Sequence, residues 1–320
     1  MPCPRCHESA LVIKKGFFPR KNSRSGKSQR FLCKACRTYF SQTSGSFEER
    51  QKRPDLHRPI YSLLTSGVSQ RRVARLCGTT QITVAHKLVR MSHFAQLAHQ
   101  QRLAAMRNSV NTAVFDEMET LEHSKCKPVA IAVAVQEGSR ILLSAVAASM
   151  PAKGPLATIA RRRYGPRDDH RKGALAKALG AVARVATADI VVKSDACPRY
   201  PKLVREHLPV AQHKTFKGRR GCVVGQGELK AGGRDPLFSL NHSCAMIRDN
   251  LKCLSRRTWC TTKRIDRLQC RLDLYVCAHN FTIDAKGSGN AAKLLNGAVY
   301  PCPVTFLPIG VEQVQLCRAV

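Results

Sequence analysis

The chain has 320 residues and a formal charge of +33, from 54 Lys and Arg against 21 Asp and Glu, at an ordinary hydrophobic fraction of 43%. That length excludes a short peptide or fibre, and the charge calls for a polyanionic partner, by default nucleic acid, because each neutralised phosphate releases counterions. No apolar run of about eighteen residues occurs and the start, Met1-Pro2-Cys3-Pro4, is unlike a signal peptide, so a soluble cytoplasmic protein without a membrane partner is expected, its fifteen cysteines being thiols or metal ligands rather than a disulfide framework.

Residues 1–40 hold ten basic residues against one acid, Glu8, and two CxxC knuckles, Cys3-Pro4-Arg5-Cys6 and Cys33-Lys34-Ala35-Cys36, 26 residues apart. Two such turns can aim four thiolates at one tetrahedral ion, which predicts a zinc ribbon with Cys3, Cys6, Cys33 and Cys36 as ligands. Residues 41–56 are polar and turn-rich and read as a linker. Over 57–106 the pattern turns helical, with a helix-turn-helix layout: a short helix opened by Ser69, a turn at Gly78, and a second helix from Thr80 that buries Val84, Leu88 and Met91. That second helix would offer Gln81, Thr83, His86, Lys87 and Arg90 to a DNA groove.

From 107 to 280 the texture is α/β. Strands are expected at 112–115, 129–135 and 141–147, helices at 156–163 and 174–185, a fourth strand at 190–193 and a helix at 200–207. A basic, glycine-rich loop follows, in which Lys217, Arg219 and Arg220 stand ready for substrate DNA, and then two helices at 236–256 and 264–278. Residues 281–320 read as an irregular tail. Asp116 ends the first of these strands and Asp195 follows the fourth. If those two strands lie side by side, both carboxylates meet at one end of the sheet and can hold magnesium or manganese, the ribonuclease-H-like plan for in-line phosphoryl transfer. Trp259, the single tryptophan, is expected as a core anchor, and the cysteines outside the knuckles as small buried hydrophobes.

The segments Asp116-Glu117-Met118-Glu119-Thr120, Lys193-Ser194-Asp195, Lys217-Gly218-Arg219-Arg220-Gly221, the stretch from Phe238 to Met246 and that from Arg256 to Lys263 resemble bacterial insertion-sequence transposases, those with a zinc ribbon and an acidic triad around the insertion-sequence-one group. The resemblance covers about residues 1–280. It implies metal-dependent cutting and joining of DNA at transposon ends, with double-stranded end and target DNA as partners, a possible homo-oligomer on DNA, and a nucleoid-associated place in a bacterial cytoplasm. Where the commonest pattern has a helical Glu as third ligand, this chain has Asn241, which can coordinate through its carbonyl oxygen but brings no charge; relatives with an Asp, Asp, Asn, Lys set would make Lys263 the fourth member. Glu228 is the rival third ligand, ranked below Asn241. Arg248, on the same helical face as Asn241, is then expected beside the scissile phosphate. The alternative function is a catalytically inactive, transposase-derived DNA-binding protein, a regulator or decayed element.

Overall fold

The computed structural model describes residues 1–19, 26–41, 43, 44, 47, 49, 51–217, 235–255 and 259–287. Near the N-terminus β1 (Val12–Pro19), β2 (Lys27–Cys33) and β3 (Tyr39–Ser41) form an antiparallel meander. Its apolar core is thin: Phe31 and Phe40 stack with ring centroids 5.5 Å apart, beside the buried Cys3 and Cys33. Burial on that scale does not hold some forty residues together, so the sulfurs must contribute.

Three helices follow, α1 (His57–Thr65), α2 (Gln70–Leu76) and α3 (Gln81–Ala105), packed around Ile60, Tyr61, Val73, Val84, Leu88 and Met91. The Thr80 hydroxyl accepts the Thr83 N–H at 3.2 Å and so caps α3, while Gly78, at φ +56°, makes the left-handed turn from α2 that a side chain would strain. Ser69 takes the extended N-cap position of α2, but its side chain makes no capping bond. Two described residues of the stretch read as a linker, Phe47 and Lys52, make contact with this module. Phe47, 6% exposed, packs its ring 4.6 Å from His57 and 5.4 Å from Phe94, and Lys87 Nζ donates to the Lys52 carbonyl at 2.9 Å. His57 is consequently buried with Nε2 unpartnered, and burial, with Lys87 adding, pushes its pKa down to about 4. Because the unfolded chain then binds the extra proton, stability falls as pH drops below the ordinary histidine value of about 6.5. The urea midpoint of this module should decline between pH 7 and pH 5, by about 1–2 kcal/mol in stability, and His57→Leu should remove that slope.

The remaining chain is a mixed α/β unit. Its five-stranded sheet contains β4 (Val110–Glu122), β5 (Ser124–Gln136), β6 (Leu142–Ser149), β7 (Ala186–Asp195) and β8 (Gln212–Phe216) in the order β6-β5-β4-β7-β8. The first three are antiparallel; β7 and β8 run parallel to β4. Helices α4 (Leu156–Tyr164) and α5 (Arg171–Val185) lie between β6 and β7 in sequence, α6 (Tyr200–His207) between β7 and β8, and α7 (Phe238–Asn250) and α8 (Ile265–Gly287) close the described chain. Strand β8 was not expected, since its sequence, Gln-His-Lys-Thr-Phe, merges into the basic loop. Helix α7 begins after Pro236 with Leu237 as N-cap, and α8 runs past the boundary set at 280.

The two faces of the sheet differ in grain. Ala132 and Ala134 of β5 meet Ala174, Ala178 and Ala181 of α5, small side chains that let helix and sheet approach closely, whereas Val129, Ile131, Val133 and Val135 point to α7 and α8. Helix α8 serves two cores at once, with Leu268, Leu272 and Tyr275 in the sheet's core and Leu274, Cys277 and Ala278 in that of the helical module. It also covers the edge strand β6. The Asn280 amide accepts from Leu142 N–H and donates to Leu142 C=O, both at 2.8 Å, and Gln269 accepts from Ala147 N–H at 2.8 Å and donates to Ala145 C=O at 3.0 Å. Two side-chain amides thus stand in for a neighbouring strand. Asn280→Leu should cost about 2–4 kcal/mol, since two buried backbone groups lose their partners, and chemical denaturation would measure it.

Candidate functional site

The four knuckle cysteines lie with their sulfurs all within 4.8 Å of one another, Cys3 Sγ 3.5 Å from Cys36 Sγ and Cys6 Sγ 3.5 Å from Cys33 Sγ. Sulfurs around a tetrahedral ion with bonds of about 2.3 Å stand about 3.8 Å apart, so the cluster can hold one metal ion such as zinc. The two knuckles are built alike. Cys3 N–H donates to Glu8 C=O and Cys33 N–H to Thr38 C=O, and the residue after each second cysteine is left-handed, His7 at φ +62° and Arg37 at φ +56°. The Thr38 hydroxyl, 3.3 Å from Cys36 Sγ, favours the thiolate and holds Cys36 down to about 6.

Asp116 and Asp195 come together at the sheet's centre. Strand β4 pairs with β7 through Val114 and Lys193, and two residues further along that parallel register Asp116 stands beside Asp195, where β7 ends. The alternation along both strands turns the two carboxylates to the α7 face. Tyr200 Oη and Glu117 N–H both donate to Asp116 Oδ1 at 2.7 Å, and Cys197 N–H donates to Asp195 Oδ1 at 3.0 Å. Among the described residues no donor reaches either Oδ2. Burial raises the Asp116 pKa to about 6, and the charge of Asp195 adds to that rise. Burial likewise raises the pKa of Tyr200, which keeps its proton and donates. A pair of adjacent carboxylates, each with one oxygen that receives no donor among the described residues, is a donor set a hard divalent cation takes.

The further members are less tightly gathered. Among the described residues, no third acid, histidine or cysteine joins Asp116 and Asp195 in a set with all ligand atoms within 4.8 Å. Asn241 is exposed near the start of α7 and donates Nδ2–H to Asp235 Oδ2 at 2.8 Å, which leaves its carbonyl oxygen as the available ligand atom. One turn on, Cys244 packs against the core on this side of the sheet, and burial pushes its thiol up to about 12, with the charge of Asp116 adding to the rise. Lys263 corrects the expectation. His123 N–H bonds Thr262 C=O at 2.7 Å and Glu122 bridges Thr262, so Lys263 sits by the far end of β4, six residues or about 20 Å along the strand from Asp116. No lysine side chain spans that distance. Glu228, Arg219 and Arg220 lie outside the described residues, while Lys217 is exposed just past β8, whose last residue Phe216 pairs with Asp195.

On α3, Gln81 and His86 are exposed and Thr83 is half-buried at the cap. Lys87 is not offered to a groove: it is 4% exposed, because it lies three residues after Val84 and four before Met91 on the buried stripe. Arg90 is drawn aside onto the Phe94 ring at 4.8 Å and the Phe47 carbonyl at 3.4 Å. Ile82 and Val89 are exposed instead. Sequence reasoning passed over Tyr200, Asp235 and Cys244; only the Asp-Pro step ahead of α7 signalled any of them. Trp259 is fully exposed rather than a core anchor, and of the remaining described cysteines Cys253 and Cys277 are buried while Cys260 is exposed. No helix among the described residues is long and apolar enough to cross a membrane. No protein-family model matches the chain, and no curated protein is significantly similar to it.

Proposed function

We propose that the protein is a DNA transposase of the ribonuclease-H-like kind, which binds transposon ends and carries out metal-dependent strand cleavage and strand transfer. The observation that carries this reading is the parallel register of β4 with β7, which sets Asp116, midway along β4, beside Asp195 at the carboxyl end of β7. A sheet of three antiparallel strands followed by two that add in parallel beside the first supports the ribonuclease-H-like plan. Asp116 and Asp195 would hold magnesium or manganese, with the Asn241 carbonyl as a further oxygen. Such an ion, when bound, supplies Lewis-acid stabilisation of the phosphodiester and a more acidic attacking water or hydroxyl. In this reading Tyr200 orients the Asp116 carboxylate, and Arg248 and Lys217 steady the phosphates on either side of the pair. The four-cysteine cluster serves as a structural zinc ribbon, and the net charge of +33 suits a DNA partner.

The test is incubation of the full chain with a labelled duplex carrying the element's own ends, with and without magnesium. Metal-dependent nicks at the ends support the reading, and intact duplex at every metal concentration removes it. A second reading, a DNA-binding regulator derived from such an enzyme, is favoured by the neutral Asn241 and by the distance of Lys263 from the aspartates. End binding without any cleavage is its signature.

A further inference from the structure

A cleft of about 590 Å³ opens between α2 and the segment that leads into α8. Arg71, Arg72 and Arg75 line it from α2, Lys252 and Lys263 from the segments beyond α7, and Arg271 from α8; no acidic residue lines it. Arg264 and Arg267 at its rim share Asp266, at 2.6 and 3.8 Å, but no carboxylate among the described residues pairs with Arg71, Arg72, Arg75 or Arg271. Two donors in the wall have no partner although they are buried: Thr262 Oγ1, on a residue only 4% exposed, and Arg271 Nε. Beside them Trp259 stands with its whole indole in water.

We infer that this cleft seats one DNA strand, with phosphates on the arginines and an unpaired base stacked on Trp259. So many unneutralised cations in one cleft repel one another, and a small anion would offset only one or two of them. A phosphodiester chain meets them in series and releases counterions as it does so. Its oxygens accept from Thr262 and Arg271, which otherwise stay unsatisfied at a cost. A fully exposed indole gains most from a flat aromatic partner, and only a base whose face is not already covered by neighbours offers one. The strand is therefore single at that point: an overhang, a frayed end or an extruded nucleotide. The inference deepens the DNA-binding part of the function proposed above and is independent of strand cleavage.

Trp259 is the single tryptophan, so emission excited at the red edge, where the six tyrosines do not absorb, reads this cleft. The full, zinc-loaded chain is titrated without added magnesium with a twelve-nucleotide oligothymidylate, with a blunt duplex of matched length and with inorganic polyphosphate, while fluorescence anisotropy of labelled DNA follows total binding. Oligothymidylate should quench the emission strongly, and Trp259→Ala should weaken its binding about 5- to 100-fold. Arg71→Gln with Arg75→Gln, both on exposed positions, should lower the salt slope by about one for each charge removed. Unchanged emission while oligothymidylate binds overturns the proposal, as does equal quenching by polyphosphate or by blunt duplex, which makes the cleft a seat for charge alone. Quenching without cleavage under any metal condition ends the transposase reading and leaves the cleft standing; cleavage without quenching does the reverse.

Discussion

Replacing Asp116 by Cys should lower magnesium-supported strand cleavage by about a thousandfold, and manganese should restore part of it, whereas Asp116→Ala should stay inactive with either metal. The size follows from the several kcal/mol of charge stabilisation that a divalent ion contributes to phosphoryl transfer, at about 1.4 kcal/mol for each tenfold in rate. Rescue by manganese follows from ligand chemistry, because a thiolate binds the softer ion better than magnesium. A variant merely misfolded would show no such dependence on the metal. The position suits the exchange: Asp116 pairs with Val133 in the middle of a long strand, and its side chain is held by Tyr200 and by the following amide, so a shorter thiol leaves the backbone ladder intact. Single-turnover cleavage across magnesium and manganese titrations decides it. Equal rates for Asp116→Cys and the unaltered chain in magnesium would exclude Asp116 as a ligand.

The aspartate pair was legible in the sequence because two short runs of branched apolar residues each lead into an acid, although β4 continues to Glu122 and puts Asp116 in mid-strand where a strand end was expected. Their junction needed only that the first and fourth strands be neighbours, and the register of Val114 with Lys193 supplies that. Positions defined by long-range contact were not legible. Lys87 carries a charge, so residue type suggested solvent, but helical phase puts it on the stripe with Val84, Leu88 and Met91, and its ammonium ends on the Lys52 carbonyl. Lys263 follows Trp259 closely in sequence, yet what fixes its place is the bridge of its neighbour Thr262 to Glu122, at a separation of 140 residues that no local pattern reveals. Strand β8 has four successive polar residues at the edge of a parallel ladder, where ladder bonds rather than burial hold it. Trp259 misled by type: aromatic residues are usually covered, and an indole standing in water signals use rather than packing.

Loss of one knuckle ligand should unfold the N-terminal meander without touching the rest of the chain. Cys33→Ser should abolish the single bound metal ion and with it the ordered structure of residues 1–41, because the binding free energy of a four-thiolate site, on the order of 10 kcal/mol, is also the folding free energy of so small a unit. The apolar cluster that remains is Phe31, Phe40 and two cysteine side chains, and two left-handed non-glycine residues, His7 and Arg37, add strain that a bound metal would offset. The other three cores contain no residue from 1–41, so their thermal midpoint should stay put. Cobalt substitution gives the sharper form of the experiment. Four thiolates around cobalt produce intense sulfur-to-metal charge-transfer absorption, which Cys3→Ser, Cys6→Ser, Cys33→Ser and Cys36→Ser should each weaken, while Cys260→Ser, exposed and no member of the cluster, should leave it unchanged. One metal ion still bound per chain in Cys33→Ser, with the amide spectrum of residues 1–41 unaltered, would show that the cysteines are held by packing and not by a shared ion.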